Sequence, residues 1–139
     1  MLVVGVGSLL RTDDAVGRVV ADRVEELALP GVEVASVHQL TPELAPSFAG
    51  RRLVVVVDAA VDVDRVTVSP IGIDGSGALM THHLGPAGLL SVAAKLGWRP
   101  DHAVAVRVPA TDLAVGTEVS AAGEAFVATA LEEVLALVR

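Results

Sequence analysis

The stretch Met1–Gly17, MLVVGVGSLLRTDDAVG, joins an apolar run to two closely spaced glycines, a short polar segment and two adjacent carboxylates. The apolar residues Met1–Val6 predict a buried β-strand, and the glycines predict a tight turn after it. Thr12 is a predicted N-cap, which places Asp13 and Asp14 in the first turn of a helix. The chain therefore opens with a strand–turn–helix unit that carries acid at its turn.

The rest of the chain continues the alternation of strands and helices. The stretch Leu53–Ala59, LVVVVDA, is apolar on both faces, which is typical of a central strand in a buried parallel sheet. The other predicted elements are the strands Val32–Val37, Arg65–Ile71 (an edge strand) and Ala103–Val108, and the helices Pro42–Phe48, Pro86–Leu96 and Thr117–Val138. This order predicts a three-layer α/β/α sandwich around a mostly parallel five-stranded sheet, in one domain spanning 1–139.

Composition excludes several classes of function. The net charge of −7 and the single lysine, Lys95, argue against nucleic-acid binding. The lack of cysteine excludes a thiol nucleophile, a cysteine-ligated zinc site and any disulfide, and is compatible with a cytoplasmic location. The longest aliphatic run, Leu53–Val57, is far shorter than the roughly 20 residues that span a bilayer, so no membrane role is expected.

Two carboxylates follow the apolar cores of predicted strands. Asp14 comes just after the first strand, and Asp58 follows the four valines of the third. If these two strands are neighbours, both carboxylates face one crevice at the carboxyl edge of the sheet, where ligands of such folds bind. Asp14 also fits a purely structural role at a helix start. Asp58 needs a partner or a wet cleft, because burying an unpaired charge is prohibitive.

The histidines supply candidates for a third ligand. His82 and His83 lie in the Gly-rich segment 72–86, directly before a predicted helix, where a helix-capping role is the structural alternative. His38 and His102 lie at strand ends, and we expect them to be exposed or hydrogen-bonded. Two carboxylates and one imidazole suit nickel, zinc or manganese, and spacing does not choose among these metals.

A dinucleotide-binding interpretation of the opening turn fits poorly. Leu10 stands where the third glycine of G-x-G-x-x-G belongs, and no acid closes the second strand to hold a ribose. Ser8 lacks the glycine-flanked elbow of a nucleophilic serine. The acidic turn instead indicates a crevice built for a cation.

Three motifs occur in order along nearly the whole chain. Gly5–Ser8 and Asp13–Gly17 match G-x-G-N/S followed by D-D/E-x-x-G, Val54–Ala59 matches an apolar strand ending in D-A, and His82–Gly85 matches H-x-L-G. In this order and spacing the sequence resembles the hydrogenase maturation endopeptidases, which trim the large-subunit precursor of nickel–iron hydrogenases.

The resemblance implies a site and a reaction. Asp14, Asp58 and His82 occupy the family's metal-site positions, whereas His83 falls on a variable position. The implied activity is removal of a C-terminal extension from a hydrogenase large-subunit precursor already loaded with nickel, with the metal serving in recognition. Asp14 or Asp58 then acts as a general base on water, or a metal polarises the scissile carbonyl.

One segment departs from the family pattern. Many members carry a D-G-G-T-like turn after the second strand, whereas this chain has His38–Thr41, HQLT, which bears on substrate preference. Two alternative functions stay open on sequence: a non-catalytic protein of the same fold that binds a maturation partner, and a nucleotide-binding α/β module.

Overall fold

The computed structural model describes residues 1–7, 14–73, 84–110 and 119–139. Within them, five strands form one sheet in the order β2-β1-β3-β5-β4. The strands are β1 Leu2–Val6, β2 Glu33–Val37, β3 Leu53–Ala60, β4 Thr67–Pro70 and β5 His102–Pro109. The helices are α1 Val16–Glu26, a 3₁₀ helix Pro42–Phe48, α2 Pro86–Lys95 and α3 Ala121–Val138.

The sheet is mostly parallel, as predicted. Strand β1 pairs in parallel with both β2 and β3, and β3 pairs in parallel with β5. Only β4 runs antiparallel, as an edge strand against β5. The first and third strands are therefore neighbours, which is the condition for a shared crevice at their carboxyl ends.

The two faces of the sheet support separate apolar layers. Alternate residues along a strand point to opposite faces, so the consecutive valines of β3 serve both layers. Val55 and Val57 pack with α1 and α3, whereas Val54 and Val56 pack with α2 and the 3₁₀ helix. These layers form the predicted α/β/α sandwich. No helix of the described ranges is both long and apolar enough to cross a membrane.

Helix α1 lies directly on the sheet because two glycines remove the side chains between them. A Cβ on Gly5, inside β1, would meet the side chain of Ala21 and lie 2.6 Å from the carbonyl oxygen of Gly17. A Cβ on Gly17 would meet the carbonyl oxygen of Val57 and lie 2.6 Å from that of Val6. The prediction that the first glycines serve only a tight turn is therefore incomplete, since Gly5 admits the helix.

The start of α1 differs from the prediction. The helix begins at Val16 with Ala15 at the N-cap position and no side-chain cap, so Asp14 precedes the helix instead of lying in its first turn. The predicted cap Thr12 and its neighbour Asp13 lie outside the described residues. In α3, Ser120 accepts a hydrogen bond from the Gly123 backbone N–H at 3.0 Å. The predicted start of that helix, Thr117, also lies outside the described residues.

Candidate active site at the carboxyl edge of the sheet

Asp58 lies in a cleft on the α2 side of the sheet. Strand β3 continues to Ala60, so Asp58 is inside the strand instead of closing it. Its place in the alternation puts its side chain on the same face as Val54 and Val56. The cleft has a volume of about 330 Å³, and the described residues that line it are Val56, Asp58, Ala59, Pro70, Ile71, Gly72, Pro86, Ala87, Ala105, Val106 and Arg107.

Asp14 reaches the same edge of the sheet from the neighbouring strand. The backbone of Gly7, one residue past β1, lies so close to Asp14 that a Cβ on Gly7 would strike the Asp14 carbonyl oxygen. Val6, the last residue of β1, is the register partner of Asp58 in β3. The structure therefore brings Asp14 and Asp58 to adjoining strand ends.

The pKa of Asp58 reflects this neighbourhood. Burial raises the pKa of Asp58 from 3.8 to about 6, because the cleft solvates a negative charge less well than water does. A hydrogen bond from the Ala59 backbone N–H lowers that pKa, the negative charge of Asp14 raises it, and the positive charge of Arg107 lowers it. The two carboxylates are thus close enough to repel each other.

Arg107 is a member of this site that the sequence analysis missed. It is the register partner of Asp58 in β5, so the two side chains project side by side on the same face of the sheet. Its Nη2 atom donates to Asp62 Oδ1 at 2.6 Å. From the sequence, Arg107 is one polar residue among valines, and only the strand register reveals its position beside Asp58.

The predicted third ligand cannot be placed. His82 and His83 lie outside the described residues, although Pro86 and Ala87, the first residues of α2, line the cleft. His38 and His102 are exposed, as predicted. No cluster of three metal-ligating side chains occurs within residues 1–7, 14–73, 84–110 and 119–139. The set Asp14, Asp58 and His82 therefore stays a prediction.

The chemistry of the donors fits a cation. A positive ion between Asp14 and Asp58 would offset both the burial and the weaker repulsion by Asp14 that raise the pKa of Asp58, and carboxylate oxygens are ligands of divalent metals. The geometry is less suited to a dinucleotide, because the carbonyl oxygen of Asp14 lies against Gly7, the glycine at which a dinucleotide motif lets the backbone approach the pyrophosphate.

Solved structures support the family suggested by the motifs. The hydrogenase maturating endopeptidase HybD from Escherichia coli is 27% identical, with a TM-score of 0.79 covering 99% of this chain and 91% of that one. A hydrogenase 2 maturation peptidase from Thaumarchaeota archaeon SCGC_AB-539-E09 is also 27% identical, with a TM-score of 0.71 covering 98% of this chain and 95% of the other.

A third structure has the same fold at a lower sequence identity. The [NiFe] hydrogenase maturation protease HycI from Thermococcus kodakarensis KOD1 is 22% identical, with a TM-score of 0.76 covering 98% of this chain and 90% of that one. No protein-family model and no curated protein sequence matches the chain. The structural similarity confirms the resemblance to the hydrogenase maturation endopeptidases over nearly the whole chain.

Proposed function

Because the chain resembles the hydrogenase maturation endopeptidases, we propose that it is an endopeptidase that removes the C-terminal extension of a nickel–iron hydrogenase large-subunit precursor. The observation that carries this proposal is the half-buried Asp58 carboxylate in a cleft, with Asp14 at the adjoining strand end, on a fold shared with those enzymes. Such a precursor is newly made, and we therefore assign the chain to the cytoplasm.

In this proposal the nickel belongs to the substrate. Asp14, Asp58 and His82 engage a nickel ion that the precursor already holds, so that only a loaded precursor is positioned for cleavage. The mutual repulsion of the two carboxylates favours this step, since a cation between them removes the cost of keeping both charged. A precursor without nickel makes no such favourable contact with the carboxylates of Asp14 and Asp58.

Hydrolysis then requires an activated water. The sequence contains no cysteine, and Ser8 lacks the context of a serine nucleophile, so a direct attack by water is the simplest route. Asp58, whose pKa is raised to about 6 in the metal-free cleft, is ionised at neutral pH and is one carboxylate able to accept a proton from that water. Asp14 is the other carboxylate able to do so.

The test is the mass of the precursor after incubation with this protein. A nickel-loaded precursor should lose one small C-terminal fragment, whereas the same precursor prepared without nickel should keep its full mass. Equal cleavage of both forms would exclude nickel as the recognition element. Stable binding of the loaded precursor with no change in mass would instead support the non-catalytic alternative.

A further inference from the structure

The cleft has opposite charges on its two sides. Asp58 stands in β3, with Asp14 beyond it on the β1 side and Arg107 beside it on the β5 side. Apart from Asp58 and Arg107, the described residues that line the cleft are uncharged and mainly apolar. A bound molecule therefore meets negative charge on one side and a guanidinium on the other.

The guanidinium of Arg107 is held by a partner that is easily replaced. Arg107 Nη2 lies 2.6 Å from Asp62 Oδ1, and the two side chains are 43% and 65% exposed. Asp62 does not line the cleft, whereas Arg107 does. Exposed ion pairs contribute little net free energy, so another carboxylate entering the cleft can compete with Asp62 for the same donors.

We propose that Arg107 determines specificity by binding an acidic side chain of the substrate near the scissile bond, in exchange for Asp62. This inference rests on the proposed function. The ligand class is a peptide carboxylate, which a guanidinium binds through two parallel hydrogen bonds.

The surrounding charges explain why an acidic residue is selected. Asp14 and Asp58 repel a carboxylate on the β1 side of the cleft, and the protein as a whole carries a net charge of −7. Of the charged side chains that line the described cleft, Arg107 is the one that attracts an acid. A substrate that presents a cation toward Asp14 and an acid toward Arg107 is therefore bound in one orientation only.

The experiment compares two variants that break the same ion pair from opposite ends. The KM and kcat for a nickel-loaded precursor are measured for the wild type and both variants at pH 8. Arg107→Gln should raise KM about tenfold, because a charge-assisted hydrogen bond is lost. Asp62→Asn should lower KM roughly two- to fivefold, because it removes the competing carboxylate. Asp62→Asn, which lies outside the cleft, should leave kcat nearly unchanged.

A matched control separates this role from a general loss of surface charge. Arg65 and Asp64 form an exposed pair at 3.9 Å that does not line the cleft, so Arg65→Gln should leave KM unchanged. Replacing each acidic residue near the cleavage point of the precursor by its amide should identify one substitution that raises the KM of the wild type but not of Arg107→Gln.

The outcomes distinguish this inference from the proposed function. If Arg107→Gln and Asp62→Asn shift KM in the same direction, the ion pair only orders the segment after β3 that carries Asp62, and the inference is wrong. If no acid-to-amide substitution acts through Arg107, it is wrong as well. If the wild type cleaves no precursor, the proposed function fails. In that case the Kd of labelled precursor is measured by fluorescence anisotropy with the same variants. Arg107→Gln should raise the Kd and Asp62→Asn should lower it if Arg107 has the proposed role.

Discussion

Folding stabilises the charges of Glu33 and Arg51 at the amino edge of the sheet and destabilises the charge of Asp58 at the carboxyl edge. At the amino edge, Arg51 donates to Glu33 at 2.8 Å and to the Ser47 carbonyl oxygen at 2.9 Å, and the Met1 ammonium donates to the Gly31 carbonyl oxygen at 2.6 Å. The hydrogen bond and the charge of Arg51 lower the pKa of Glu33. The charges of Glu33 and Arg51 are therefore more favourable in the folded chain than in water.

At the carboxyl edge the balance is reversed for Asp58, although Arg107 lowers the pKa of the exposed Asp62 there. Burial and the neighbouring charge of Asp14 raise the pKa of Asp58, so its negative charge is less favourable in the folded chain than in water. A larger depression, about 610 Å³, lies at the amino edge between Arg52, Arg99 and His102, but neither Asp14 nor Asp58 lines it. A buried charge that folding disfavours is a better indicator of a functional site than a larger volume, and on that ground the carboxyl edge is the candidate.

The largest effect should come from removing the charge of Asp58. Asp58→Asn keeps the shape of the side chain and can still accept the Ala59 N–H bond, but it can neither bind a cation strongly nor take a proton. We expect processing of the nickel-loaded precursor to slow by roughly a hundred- to ten-thousandfold, measured by mass spectrometry. Asp101→Asn, at the amino edge, should process at the wild-type rate. An Asp58→Asn variant that does not fold would make Asp58 a structural carboxylate.

The same substitution should stabilise the protein at high pH. At pH 8 the native wild type keeps a buried charge that the unfolded chain holds in water, and a shift from 3.8 to about 6 corresponds to about 2–3 kcal/mol. Asp58→Asn should therefore raise the Tm by roughly 6–10 °C at pH 8. The gain in Tm should fall as the pH drops from about 6, where Asp58 takes up a proton in the native state, to about 4, where it takes up a proton in the unfolded chain as well. A gain that does not depend on pH would contradict this origin.

A smaller effect, a loss of stability, should follow from crowding the contact between α1 and the sheet, which positions Asp14. In Gly17→Ala the new Cβ meets the carbonyl oxygens of Val57 and Val6, and α1 must move away from the sheet. Overpacking of this kind typically costs 1–3 kcal/mol, and the better helix propensity of alanine returns up to about 1 kcal/mol. We expect urea denaturation to give a net loss of about 1–2 kcal/mol. Gly72→Ala, where a Cβ meets open space, is the control.

The smallest effect should come from the amino edge, with the opposite dependence on pH. Glu33→Gln removes the charge that Arg51 stabilises, so the variant should be slightly less stable than the wild type at pH 7. The difference should vanish as the pH falls below 4.5, the ordinary pKa of a glutamate, and through the lower pKa of Glu33 in the folded chain. Thermal melts at pH 7 and pH 3 test this. A difference that grows on acidification would contradict the contrast between the edges.

Much of this architecture was predictable from local pattern. The consecutive valines of β3 and the strand–turn–helix opening suffice to predict a parallel sheet with Asp58 near its carboxyl edge, and the motifs suffice for the resemblance to the hydrogenase maturation endopeptidases. The start of α1 was not predictable, because the close approach of Gly17 to two neighbouring strands positions the helix there without a capping side chain. Arg107 was missed for a related reason, since its importance depends on its register with Asp58.

The central claim is that Asp14, Asp58 and Arg107 form one electrostatic unit, and titration of the Asp58 carboxyl carbon by NMR tests it most directly. The account predicts a pKa of about 6 for Asp58 in the metal-free protein. That pKa should fall in Asp14→Asn, rise in Arg107→Gln, and stay unchanged in Asp22→Asn, where the acid bonded to Ser36 on the outer side of α1 is removed. An Asp58 carboxyl that titrates near 4 and does not respond to Asp14 would contradict it.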